Sequence, residues 1–153
     1  MDKIIISHRG NLNGPNPARE NSPEYIREAL AAGFNVEVDI WWHEDSFWFG
    51  HDRPEFRVTN PFDLLDSRMW VHCKDLETLQ HYIMFAGVQS KNPHPHYFTH
   101  WADDGVLTSS GLIWTYPGQR LCGFSIAVMP EHAPDWDVSG AAGICTDYPR
   151  KYK

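Results

Sequence analysis

Lys3-Ile4-Ile5-Ile6-Ser7-His8-Arg9-Gly10 and, one helix further on, Phe34-Asn35-Val36-Glu37-Val38-Asp39-Ile40-Trp41-Trp42 decide the fold. Residues 3–6 read as a buried strand, with His8 just past its carboxyl end. Residues 11–21, rich in Asn, Gly and Pro, read as a loop. Ser22-Pro23-Glu24 then opens a helix. Ser22 is the N-cap, Pro23 suits the first helical position, and Glu24 complements the helix dipole. Tyr25, Ile26, Ala29 and Leu30 make an apolar stripe that ends at Gly33. Residues 34–42 form a second strand. A strand, loop, helix and strand over residues 3–42 is the basic block of a parallel α/β sheet or barrel.

Side chains two apart on a strand share a face, so Glu37 and Asp39 point one way and Val36, Val38 and Ile40 the other. Phe47-Trp48-Phe49 brings a third extended piece to a stop at His51. Two histidines and two same-facing carboxylates at strand ends suit acid–base chemistry beside a divalent cation. Two acids facing one barrel interior repel each other unless a cation sits between them. Oxygen ligands point to Mg²⁺ or Ca²⁺.

Further along, residues 60–67 read as a short helix with Pro61 near its start and 69–73 as a strand. Residues 75–86 read as an amphipathic helix with Leu76, Leu79, Tyr82, Ile83 and Met84 among its apolar positions. A Pro- and His-rich loop runs through Pro95, and extended segments are expected at 96–100, 111–116, 121–128 and 142–146. Seven or eight strands with few good helices predict an α/β fold: a trimmed TIM-type (β/α) barrel with several outer helices reduced or missing. Complete barrels need at least about 200 residues, whereas this chain has 153. The whole span, 1–153, reads as a single domain.

Composition narrows the function classes. An apolar fraction of 42% with 14% aromatics excludes disorder. A net charge of −7 and a pI near 5.6 argue against a nucleic-acid surface, which wants clustered Lys and Arg. A small phosphorylated substrate remains compatible, because a metal and a few local cations can supply positive charge. No long apolar run opens the sequence, so neither a signal peptide nor integral membrane contact is expected. Cys73, Cys122 and Cys145 sit in apolar, strand-like contexts, which predicts reduced, buried thiols and a cytoplasmic location. No two are close enough in sequence to suggest a zinc site of their own. Trimmed helices and seven tryptophans predict exposed apolar surface that a second copy covers in a homo-oligomer.

The ordered set of Ser7-His8-Arg9-Gly10, Glu20-Asn21-Ser22, Glu37-Val38-Asp39, Gly50-His51-Asp52 and Lys74 at a strand end resembles the glycerophosphodiester phosphodiesterase group. That group belongs to the phosphatidylinositol-specific phospholipase C-like phosphodiesterases. The resemblance returns at Gly143-Ile144-Cys145-Thr146-Asp147-Tyr148-Pro149. It implies that His8 and His51 are the acid and the base. One takes a proton from the attacking hydroxyl or water and the other protonates the leaving oxygen, in an order the sequence does not fix. It implies one divalent cation on Glu37 and Asp39, and phosphate contacts from Arg9 and Lys74. A glycerophosphodiester-like small substrate is expected, and a hydroxyl next to the phosphate could attack to give a cyclic phosphate. Lysophospholipids and sphingophospholipids enter because related enzymes act on them.

Two features depart from the family pattern. Relatives carry an acid two residues before the strand-end lysine, and here that place is His72. Either His72 ligates, shifting the preference toward Mn²⁺ or Zn²⁺, or water or Glu20 fills the place and His72 is structural. Relatives also carry an insertion after the His-Asp pair, which here is only a short connection. The competing readings are a non-catalytic phosphoester-binding module on the same fold and a metal-dependent hydrolase of other esters. Plainer roles stand beside several candidates: an ion pair with Glu20 for Arg9, loop fixing for Asn21, and an exposed strand-end position for Lys74. Trp114 is placed either against the leaving group or in the core. Asp103, Asp104 and Glu131 are read as loop or rim residues and Asp147 as structural.

Overall fold

The computed structural model describes residues 3–89, 95–100 and 104–153, and its first unit follows from local sequence. Strand β1 (Ile4–His8) leads through a loop into helix α1 (Pro23–Ala31), then into strand β2 (Asn35–His43). The Ser22 hydroxyl accepts the Tyr25 N–H at the helix start. Gly33, at φ +84°, supplies the left-handed turn that releases the chain into β2. Tyr25, Ile26 and Ala29 are the residues that α1 buries.

The remaining strands are β3 (Ser46–Phe49), β4 (Phe56–Arg57), β5 (Met69–Cys73), β6 (His96–Phe98), β7 (Gly105–Leu107), β8 (Ile113–Thr115), β9 (Ser125–Val128) and β10 (Gly143–Thr146). Helix α2 spans Leu76–Gln89, and short 3₁₀ turns occupy Pro61–Leu65, Pro130–His132 and Pro149–Tyr152. From one edge the order is β6, β5, β2, β1, β10, β9 and β8, all parallel, with β7 antiparallel beyond β8. The result is a mixed α/β structure around a curled sheet. Its two ends are tied where the Ser109 N–H donates to the Tyr97 carbonyl at 3.0 Å and the Tyr97 N–H donates to Ser109 Oγ at 2.8 Å.

Strand alternation sorts the core into two layers. Val36, Val38, Ile40, Val71 and Cys73 face outward onto Ile26, Ala29, Tyr82 and Ala86 of the helices. Ile6, Trp70, Phe98, Trp114, Ile126, Val128 and Cys145 fill the concave face. Among the described residues, helices make only two crossovers, β1 to β2 and β5 to β6; hairpins, 3₁₀ turns and loops make the others. None of the described helices is long and apolar enough to cross a membrane.

Several details depart from the sequence reading. The piece ending before His51 is β3, the returning arm of an antiparallel hairpin on β2. Its turn residues Glu44 and Asp45 both adopt positive φ, as a two-residue hairpin turn requires. Strands β4 and β7 were not anticipated. Helix α2 rests on the sheet through Thr78, Tyr82 and Ala86, which rotates Leu76, Ile83 and Met84 into solvent. Polar partners hold that rotation: Thr78 Oγ1 accepts the Trp42 N–H, and the Tyr82 hydroxyl donates to the Leu64 carbonyl. Cys122 is exposed, whereas Cys73 and Cys145 are buried. It lies in the loop before β9, outside any strand. Most of the Pro- and His-rich loop, and Asp103, lie outside the described residues.

Candidate active site

Parallel pairing puts the chemical residues in one row. His8 is in register with Glu37, and Glu37 and Asp39 are in register with Trp70 and His72 of the next strand. Their parity matches that of Ile6 and Trp70 in the concave layer, so all of them face inward near the carboxyl ends of the parallel strands. Together with Arg9, His51 and Lys74 they line a cavity of about 320 Å³, completed by Trp114, Tyr116, Pro117, Val128, Met129, His100 and His132.

His51 arrives by a different route. Strand β2 outruns β1, and its far end pairs with β3, so the hairpin returns to the level of the acids. There the Gly50 N–H donates to the Asp39 carbonyl at 3.1 Å. Gly50 sits at φ +152°, and a Cβ on it would collide with the Arg53 carbonyl. Glycine is therefore required just before His51. The His51 side chain is 43% exposed, with Nδ1 2.7 Å from Asp52 Oδ1. Burial and then the Arg9 charge lower its pKa.

Asp39 is the most heavily tied residue. Its Oδ1 lies 2.8 Å from His72 Nδ1 and accepts from Lys74 Nζ at 3.2 Å. Its Oδ2 accepts from Asn21 Nδ2 at 2.9 Å and lies 3.1 Å from Arg9 Nε. The Asp39 N–H donates back to Asn21 Oδ1, closing a two-point clamp. Burial opposes the Asp39 charge, yet the His72 hydrogen bond and the Lys74 and Arg9 charges hold it well below the usual carboxylate range.

Glu37 is held more loosely, although only 3% exposed. Its Oε2 accepts the Arg9 N–H at 3.3 Å, and the nearest nitrogens of His8 and His72 stand 3.9 Å away. Burial, then the Asp39 charge, pushes its pKa up. A buried, weakly compensated carboxylate beside a charged one and an imidazole is a donor set that suits a divalent cation. Ligand atoms of Glu37, Asp39 and His72 all lie within 4.8 Å of one another. Arg9 and Lys74 already compensate part of the charge on Asp39, so the two acids repel each other less than their shared strand face alone implies.

His8 is oriented from behind. Its Nδ1 lies 2.8 Å from Asp147 Oδ1, and the same oxygen accepts from Asn11 Nδ2 at 2.8 Å. Burial works against a charge on His8, but the Asp147 hydrogen bond and the Glu37 charge raise its pKa overall. Glu131 fixes the end of β10 by accepting from Thr146 Oγ1 and from the Asp147 N–H. Glu20 lies apart from the three grouped donors: its oxygens accept from Arg9 Nη1 at 3.1 Å and from Asn11 Nδ2 at 2.9 Å. It holds Arg9 in place, so the ion pair with Glu20 coexists with an Arg9 that lines the cavity. Trp114 is 3% exposed and packs between Trp70 and Phe98 while also lining the cavity.

Asp147 and Asn11 are the neighbours of His8 that sequence reasoning missed as partners. The one available signal was parity, which puts Asp147 on the same face as Cys145. Compared with protein-family models, curated proteins and solved structures, the chain matches none.

Proposed function

We propose that this chain is a metal-assisted phosphodiesterase, acting on a small glycerophosphodiester-like substrate from a trimmed (β/α) barrel. The observation that carries the reading is the shared cavity. His8, His51, Arg9 and Lys74 surround the Glu37, Asp39 and His72 donors at the carboxyl end of the parallel strands, where enzymes built on parallel α/β barrels place their chemistry. The motif resemblance supports the same reaction class. Free Cys73, Cys122 and Cys145 fit a reducing, cytoplasmic setting.

One histidine removes the proton from the attacking hydroxyl or water and the other returns a proton to the leaving oxygen. Asp147 holds the ring of His8 in the orientation this requires. Arg9 and Lys74, fixed against Asp39, face the phosphate and neutralise charge that develops on its oxygens. A divalent cation held by Glu37 and Asp39, with His72 as third donor, would polarise a non-bridging phosphate oxygen.

The second reading is a non-catalytic phosphoester-binding module. It is favoured by the Asp39 carboxylate, which Lys74, Arg9 and His72 already occupy. Hydrolysis of bis(p-nitrophenyl) phosphate and of glycerophosphodiesters with added Mg²⁺, Ca²⁺, Mn²⁺ or Zn²⁺ separates the two. His8→Ala and His51→Ala should each cut turnover by roughly 10²–10⁴-fold with an unchanged circular dichroism spectrum. A wild type that binds these esters and cleaves none with any cation is the module.

A further inference from the structure

We propose that Glu37, Asp39 and His72 select a transition cation, Zn²⁺ ahead of Mn²⁺, and that His72 is the residue that turns the site away from Mg²⁺ and Ca²⁺. This rests on the metal-holding half of the reading above and not on the reaction.

The position of His72 comes from the sheet. Strand β5 lies in register with β2, Asp39 opposite His72, so the imidazole enters on the same face as both acids. Its Nδ1 is 2.8 Å from Asp39 Oδ1 and 3.9 Å from Glu37 Oε1, facing both carboxylates. The ring is held there by stacking. The Phe98 ring lies nearly parallel to it, centroids 5.0 Å apart at 3°, and the His100 ring at 4.6 Å and 16°. A buried imidazole stacked against near-parallel rings keeps its nitrogen in the site.

Charge favours the same class of ion. Mg²⁺ and Ca²⁺ are bound by several oxygen donors, and their affinity follows the number of negative ligands. Here two carboxylates share their surroundings with Lys74 Nζ and Arg9 Nε, 3.2 and 3.1 Å from Asp39. Little net negative charge is left to attract an ion that depends on charge alone. Zn²⁺ gains a nitrogen bond that Mg²⁺ and Ca²⁺ value little, and Mn²⁺, a harder ion than Zn²⁺, gains less from it. Three protein donors with a position left open is also the usual arrangement of catalytic zinc. Binding uses the Nδ1 lone pair, so the hydrogen bond between Nδ1 and Asp39 gives way when the ion enters.

Isothermal titration of the metal-stripped full chain tests this with the metals alone. Zn²⁺ should bind one per chain, at least tenfold more tightly than Mg²⁺ or Ca²⁺, with Mn²⁺ between them. Glu37→Gln should remove that site, which separates it from ions collected by the other histidines. His72→Glu should reverse the order, strengthening Mg²⁺ and Ca²⁺ and weakening Zn²⁺ by tenfold or more. Co²⁺ provides a second readout: its visible spectrum should change between wild type and His72→Glu as a nitrogen donor is lost. His72→Gln serves if His72→Glu does not fold, and it should weaken Zn²⁺ as strongly. Tighter Mg²⁺ or Ca²⁺ than Zn²⁺ in the wild type would overturn the proposal, as would Zn²⁺ affinity unchanged in the His72 variants. Selective Zn²⁺ or Mn²⁺ binding without any phosphodiester hydrolysis would instead leave this inference standing and remove the reaction.

Discussion

Asp147 sets His8 apart from His51. Both rings lean on a carboxylate, but Asp52 is an exposed neighbour in sequence, whereas Asp147 is buried and comes from the far end of the chain. Asp147→Asn should therefore disturb the orientation of His8 and lower turnover while metal affinity stays near wild type. It should also cost stability, about 1–3 kcal/mol, because buried hydrogen-bonding groups lose a charged partner. Burial opposes the Asp147 charge, yet the hydrogen bonds from His8 and Asn11 lower its pKa below the usual carboxylate value. A depressed carboxylate contributes stability above its unfolded pKa, about 3.9, and loses it as pH falls through the folded value. Urea unfolding at pH 7 and pH 3 should show the gap between wild type and Asp147→Asn narrowing at acid pH. A gap of constant size would show that the carboxylate charge contributes nothing. At this scale the sequence was readable where strand parity alone decides, as for Glu37 with Asp39 and His72 with Lys74. The partnership of Asp147 and His8 was not readable, because it depends on β1 lying beside β10, a pairing between opposite ends of the chain.

Among the elements, the β2–β3 hairpin does what an extra parallel strand cannot. By running past β1 and folding back, it lowers His51 onto the cavity from above, with Gly50 as the pivot. Trp41 Nε1 donates to the Gly50 carbonyl at 2.7 Å and fixes that pivot to β2. Gly50→Ala places a methyl group against the Arg53 carbonyl at a backbone angle that only glycine tolerates well. The loop must shift and take His51 with it. The expected outcome is a loss of turnover close to that of His51→Ala, with metal affinity retained and a stability cost of at least about 1 kcal/mol. Kinetics beside a chemical melt would check it, and near wild-type turnover would show that His51 is not positioned by this turn. Phe47-Trp48-Phe49 was legible as a strand but its direction was not. The signal lay in the connection: Trp42 and Phe47 are too close in sequence for a parallel crossover, which needs a dozen or more residues. The helix starts were more readable, because Ser22-Pro23 and Asn60-Pro61 carry local capping chemistry.

For the whole molecule, the curled sheet raises the question of what holds its two ends together. Length and strand count were enough to anticipate a sheet with most outer helices missing. The seam itself was beyond reach, because Ser109 and Tyr97 are ordinary residues in segments without strong periodicity. Two kinds of contact close it. At the edge, Ser109 bonds Tyr97 through backbone and side chain, and its hydroxyl donates to the Pro95 carbonyl at 2.6 Å. Inside, Trp114 of β8 reaches Trp70 of β5 at 5.8 Å and Phe98 of β6 at 4.6 Å between ring centroids. The aromatic contacts should dominate. Truncating a buried tryptophan costs about 3–5 kcal/mol, whereas the two exposed hydrogen bonds of the Ser109 hydroxyl are worth about 0.5–1.5 kcal/mol each. Against a total stability of about 5–15 kcal/mol, Trp114→Ala should open or unfold the sheet, and Ser109→Ala should only loosen its edge. Hydrogen exchange on Ser109→Ala should show faster exchange in β6 and β7, with β1, β2 and β10 as protected as in wild type. Trp114→Phe keeps an aromatic bridge, so it separates the two roles given to this residue. A lower melting temperature with unchanged KM means that Trp114 closes the sheet and no more. A raised KM at nearly unchanged melting temperature means that it also touches the substrate. If Trp114→Ala melts within a degree of wild type, the closure does not run through the aromatic interior and must rest on the hydrogen-bonded edge.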